Sequence, residues 1–146
     1  MDLGRLERIP SIKAVMTPFP YTIAVEEPLS QAEAIMRSHG VRHVPVENAG
    51  RIVGVVSDQD LRRAPPEGAE QGTSRVGDFC LTEPYVVDLE GRLDDVLIQM
   101  ARRRAACALI TREGKLVGIF TTTDACQVLA DVLRARFAPS GGNSAA

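Results

Sequence analysis

Tryptophan is absent from the 146 residues, and the other aromatics are four Phe and two Tyr. A core without large rings must be filled by Val, Ile, Leu, Ala and Met. Cysteine is sparse: Cys80, Cys107 and Cys126 are odd in number, widely spaced, and form no Cys-x-x-Cys pair. That excludes a disulfide framework and a zinc ribbon, and the three read as free thiols of a reducing compartment. No apolar run approaches the ~18 residues that cross a bilayer. The charged start MDLGRLERIP has no signal-peptide apolar centre, so a cytoplasmic protein is expected. Neither sign of charge dominates, since 17 Lys and Arg face 19 Asp and Glu. A dedicated nucleic-acid binder would be strongly basic, so nucleic acid is not an expected partner. The only histidines, His39 and His43, flank Gly40, where a helix should stop before both can share a face. No metal site is expected. What remains is an ordinary globular composition, 45% hydrophobic and 25% charged, long enough for one domain or two halves sharing a core.

The informative feature is an internal repeat. Moved forward by 64 positions without gaps, residues 12–61 fall on residues 76–125. Pro20-Tyr21 then meets Pro84-Tyr85, Glu26 meets Glu90, Leu29 meets Leu93 and Met36 meets Met100. Gly50 meets Gly114, Val53-Gly54 meets Val117-Gly118, and Asp60 meets Asp124. Residue type agrees more widely than identity, from end to end, which marks a duplicated unit.

Each copy predicts the same order of elements. A short extended run (Tyr21 to Val25; Tyr85 to Leu89) precedes a helix, with Leu29, Ala32, Ile35, Met36 and His39 at helical spacing in copy one, and Leu93, Val96, Leu97, Met100 and Ala101 in copy two. Ser30 with Glu33 reads as a capping box, and Asp94 reads as the equivalent N-cap. Two strands follow, His43 to Glu47 and Arg51 to Val56, then Cys107 to Thr111 and Lys115 to Phe120, each pair joined by a turn short enough for a hairpin. A second helix starts at Ser57 or Thr121, cut short by Pro65-Pro66 in the first copy and carrying an apolar stripe from Ala125 to Phe137 in the second. The expected class is α/β (α+β): two β-α-β-β-α repeats packed sheet to sheet about a pseudo-twofold. Residues 10–64 form repeat one, 65–75 a Pro/Gly-rich linker, 76–137 repeat two, and 138–146 a disordered tail.

One pattern with chemical potential occurs twice, in Gly54-Val55-Val56-Ser57-Asp58-Gln59-Asp60 and Gly118-Ile119-Phe120-Thr121-Thr122-Thr123-Asp124. It spans a strand-to-helix junction. A helix N-terminus offers backbone N–H groups to a phosphate, the hydroxyl adds a donor, and Asp one turn later can accept ribose hydroxyls. The glycine allows close approach of another backbone or a ligand. An ordinary helix cap would also use Ser/Thr-x-x-Asp. Two copies in the same register, each behind Gly-apolar-apolar, weigh toward the ligand-binding reading.

With these residues in view, the chain resembles the cystathionine-β-synthase (CBS) domain family. The marks are Met16-Thr17-Pro18, the strand His43-Val44-Pro45-Val46 and the Gly54-to-Asp60 motif; copy two diverges at Cys80-Leu81-Thr82 and Cys107-Ala108-Leu109-Ile110 but keeps the terminal motif. The resemblance implies a stand-alone tandem pair, or Bateman module, over about residues 10–135. It further implies binding of AMP, ADP or ATP, with S-adenosylmethionine or NAD as other candidates, in clefts between the repeats. A homodimer and an effector protein as partner are also implied. One cleft would take Thr17, Pro20, Thr22, Val41 and Arg42 with Ile119, Thr121, Thr123 and Asp124. Base recognition would lie around Thr22, phosphate contacts at Arg42, Thr121 and Thr123, and ribose binding at Asp124. This is the preferred cleft. The second would take Leu81, Pro84, Val86, Ala105 and Ala106 with Val55, Ser57, Gln59 and Asp60, and with His43 in reach of a phosphate.

Arg102-Arg103-Arg104 reads as the solvated, dipole-favoured end of a helix. No Gly-x-Ser-x-Gly elbow and no base beside a nucleophile is found, so no catalytic residue is expected. With both repeats counted, the length leaves little for an output domain, and a regulated partner in another molecule is expected. The alternative is an interaction module with vestigial clefts, in which both Asp residues are only helix caps.

Overall fold

A computed structural model describes residues 7–63 and 74–137. The elements in chain order are β1 (Thr17–Pro18), β2 (Ile23–Ala24), α1 (Leu29–His39), β3 (His43–Asn48), β4 (Arg51–Ser57), α2 (Asp58–Arg62), α3 (Val76–Phe79), β5 (Val86–Asp88), α4 (Leu93–Arg103), β6 (Cys107–Arg112), β7 (Lys115–Thr121) and α5 (Thr122–Arg136). A 3-10 turn at Ile12–Ala14 precedes β1. From α1 and α4 onward, corresponding elements start 64 positions apart, the spacing of the sequence repeat. Apart from Ser74 and Arg75, the expected linker lies outside the described residues, as does the tail 138–146.

Two sheets form, in strand orders β2-β3-β4 and β1-β7-β6-β5. The hairpins turn through Ala49-Gly50 and Glu113-Gly114, all four residues at positive φ, between the closing pairs Asn48↔Arg51 and Arg112↔Lys115. Two left-handed residues make the turn whose twist matches that of the strands. Successive strand residues face opposite sides, and the core divides accordingly. Val44, Val46 and Val56 face Ala32 and Met36 of α1, while Ala108, Ile110 and Phe120 face Leu93, Val96 and Met100 of α4. Val55, Cys107, Leu109 and Ile119, one residue out of phase, form a third cluster where the sheets meet. Strands buried on both faces explain the near-continuous apolar runs of β3 and β6.

The packed cores are offset from the sequence repeats. Ile12, ahead of β1, is fully buried in the α4 cluster of the second repeat, and Val76 is fully buried in the α1 cluster of the first. β1 pairs antiparallel with β7, and Leu81 forms the matching bridge to Val55 of β4. Each lead-in thus crosses to the other copy's sheet.

Two expected helix caps are corrected. α1 starts at Leu29 behind Pro28, so Ser30 lies inside the helix, and Glu33 pairs with Arg37 instead. α4 is preceded by Arg92, with Asp94 already in the first turn and bonded to Arg92 at 3.0 and 3.1 Å. The Leu93 amide, at the first helical position, donates to the Pro10 carbonyl at 2.9 Å, so the crossing backbone satisfies one helix-end donor. Gly40 ends α1 at φ 65°, as expected, and Arg104 fills the equivalent place at φ 54°. The extended runs are shorter than expected, leaving Tyr21 and Tyr85 outside β2 and β5. No helix among the described residues is long and apolar enough to cross a membrane.

Candidate functional site

The two Gly-apolar-apolar-Ser/Thr-x-x-Asp segments end β4 and β7 and start α2 and α5. Gly54 is required by the crossing: a Cβ there would lie 2.3 Å from the Leu81 carbonyl oxygen, where the backbones exchange hydrogen bonds of 2.9 and 3.1 Å. At Gly118 the neighbour is the Met16 side chain, 2.3 Å from where a Cβ would stand.

Both Asp residues close capping boxes of nearly the same geometry. Asp60 Oδ2 accepts from the Ser57 amide at 2.8 Å and its hydroxyl at 3.0 Å, and Asp124 Oδ2 accepts from Thr121 at the same distances. The copies differ at the second oxygen. Asp60 is buried and its Oδ1 takes the Arg63 guanidinium, whereas Asp124 is half-exposed and its Oδ1 has no partner among the described residues.

A cavity of about 640 Å³ opens between the repeats. It gathers most of the second predicted cleft, namely Leu81, Ala105, Ala106, Val55, Ser57, Gln59, Asp60 and His43, and adds Arg42 and Thr123 from the first. Pro84 and Val86 are not in its lining, and Val86 stands exposed on β5. The preferred cleft is spread more widely. Thr17 pairs with Ile119 across the β1–β7 ladder, with Ile119 buried between the sheets. Pro20 and Thr22 line a separate pocket of about 310 Å³ with Phe19, Lys115 and Leu116, and the Thr22 hydroxyl donates to Glu47 at 2.9 Å. The Val41 amide donates to the Met36 carbonyl at 3.2 Å. Thr121 and Asp124 stay in their own capping box.

The large cavity also holds residues that sequence reasoning did not place there: Asp58, Arg62, Glu83, Tyr85, Arg103, Arg104, Cys107 and Thr122. Arg103 and Arg104 were visible as a basic run but read as a solvated helix end. They remain exposed, yet they reach the cavity because α4 ends at its edge. Burial pushes the His43 pKa below its usual value, opposed by nearby Asp58 and Asp60 and assisted by Arg42. A histidine so placed is neutral near pH 7. Burial pushes the Cys107 thiol up to about 11, which keeps it protonated and unreactive. No group of three or more His, Cys, Asp or Glu suited to a metal occurs among the described residues.

Compared with known proteins, residues 12–67 and 76–131 each match the CBS domain. The chain is 28% identical over 104 residues to an inosine-5'-monophosphate dehydrogenase of Korarchaeum cryptofilum, covering 70% of this chain but only 21% of that enzyme. The chain therefore spans about a fifth of that relative's length. Among solved structures it is similar to the CBS domain of a bacterial CNNM/CorC family Mg2+ transporter in complex with ATP, with a TM-score of 0.72, 26% identity and 90% of each chain covered. The CBS domain pair of protein MJ0100, in complex with 5'-methylthioadenosine and S-adenosyl-L-methionine, shares the fold at a TM-score of 0.75 and 19% identity, over 84% of this chain and 98% of that one. CBS domain pairs are regulatory modules rather than catalysts, and the match to the dehydrogenase is confined to such a part.

Proposed function

The chain belongs to the CBS domain family, and from that premise we propose that it is a sensor of adenosine nucleotides, AMP, ADP or ATP, seated in the cavity between its repeats. The observation that carries this reading is the 640 Å³ cavity itself, lined from both copies by a helix-start serine, a histidine and several arginines. Such a volume suits a ligand of nucleotide size. The ATP complex of the CNNM/CorC relative supports the ligand class. Arg42 and Ser57 serve the phosphates, and Asp60 serves the ribose once Arg63, whose side chain is largely exposed, swings away. The Asp124 cleft is a second nucleotide position, its carboxylate retaining one oxygen for a ribose. The protein acts in the cytoplasm, and the exposed Leu129 and Leu133 of α5, with Phe137 at its end, serve a homodimer. A nucleotide that binds two states of the pair unequally shifts them, and an effector protein reads the shift.

One observation favours the alternative of vestigial clefts: both Asp60 oxygens are engaged within the chain. A thermal-shift panel of AMP, ADP, ATP, S-adenosylmethionine and NAD separates the readings. A ligand held only by the folded state at 100 times its Kd stabilises by about 2.7 kcal/mol and raises the midpoint. A rise with an adenine nucleotide is expected, and a flat response to all five ligands selects the interaction module.

A further inference from the structure

The arginines of the cavity are not equivalent. Arg62 pairs with Asp58, and Arg63 beside the cavity pairs with Asp60, whereas Arg42, Arg103 and Arg104 have no ion-pair partner among the described residues. The Arg103 guanidinium lies 4.5 Å from the centre of the Tyr85 ring, which holds it at the cavity's edge. Arg104 is left-handed at φ 54°, a conformation that disfavours any residue with a Cβ.

The 64-residue register supplies an internal comparison. Tyr85 and Arg103 correspond to Tyr21 and His39, whose rings stack 3.7 Å apart at 12°. Arg104 corresponds to Gly40, which takes the same backbone conformation at φ 65°. The same frame therefore carries a cationic edge in one copy and a nearly uncharged one in the other. The equivalent helix ends on His39 and Gly40, so ending the helix does not require arginine at these two positions.

We propose that Arg103 and Arg104 read the outer phosphates of a nucleotide in this cavity, so that the site selects di- and triphosphates over AMP and over the cationic S-adenosylmethionine. The inference rests on the proposal that the cavity takes adenosine nucleotides. Guanidinium groups without carboxylate partners give forked, charge-assisted bonds to phosphate oxygens, and each outer phosphate adds negative charge that the exposed pair can meet. The positive sulfonium of S-adenosylmethionine gains nothing from them.

The test is calorimetric titration of the full chain, wild type and the double variant Arg103→His/Arg104→Gly, at pH 8 where histidine is neutral. The variant installs the pair that the first repeat already carries, and glycine suits the left-handed position, so a loss of binding does not reflect loss of the fold. Probes are AMP, ATP, S-adenosylmethionine and inorganic tripolyphosphate. Wild type is expected to bind ATP at least tenfold more tightly than AMP or S-adenosylmethionine, and the variant to lose that preference and bind ATP no more tightly than AMP. Equal wild-type affinities, or a preference that survives in the variant, overturns the proposal while leaving nucleotide binding intact. If no adenosine compound binds but tripolyphosphate does, and only to wild type, the nucleotide reading fails and the phosphate-reading arginines stand. If neither class binds, both fail.

Discussion

At the residue scale, the same amino acid in the same register does different work in the two copies. Asp60 and Asp124 both close a helix-start box, but Arg63 occupies the free oxygen of one and not the other. Gly54 and Gly118 are identical in sequence yet face a carbonyl oxygen and a thioether. A backbone held in a two-way bridge cannot retreat, whereas the end of a methionine side chain can. Gly54→Ala is therefore expected to destabilise the fold by about 1–3 kcal/mol as an overpacking cost, and Gly118→Ala by under about 1 kcal/mol. Chemical unfolding of the two variants checks this, and equal losses would contradict the crossing at Leu81. The glycine signal was legible in the sequence as a place of close approach. Its cause was not, because which chain lies opposite Gly54 is settled by a segment some 27 residues further along.

At the scale of elements, the repeat register read from nine scattered identities located the helices and hairpins, since hydrophobic period and turn chemistry are local properties. The helix starts were less legible. Ser30 and Asp94 have the composition of caps, but each is the second residue of its helix, behind Pro28 and Arg92, which bridge to crossing backbone at Arg75 and Ser11. Local rules cannot anticipate a partner that arrives from the other repeat. The lead-in containing Ile12 is accordingly a structural part of the second repeat. Ile12→Ala should cost about 2–5 kcal/mol, as for other buried aliphatic truncations. Hydrogen exchange should show the lost protection first in α4 and β6, in the other half of the chain. Loss concentrated in α1 and β3 would contradict the offset core.

At the scale of the whole molecule, the reciprocal crossing makes the two repeats one packing unit, with Val55, Leu109 and Ile119 closing the space between the sheets and the cavity opening beside it. The sequence pointed to inter-repeat clefts and to the residues around Asp60, but it favoured the Asp124 side because Thr22 and Arg42 survive in the expected positions. The structure places Arg42 in the cavity lining near Asp60, and Thr22 in a separate pocket. Cavity shape depends on how two sheets lie together, a property that no motif in either copy encodes. The central claim is that this cavity holds an adenosine nucleotide. Ala106 is exposed and lines the cavity, so Ala106→Trp fills the space without crowding the core. Titrating ATP calorimetrically into wild type and this variant is the most direct measurement. Binding to wild type with at least a tenfold loss in Ala106→Trp is the predicted result, and wild-type affinity in the filled variant would contradict it.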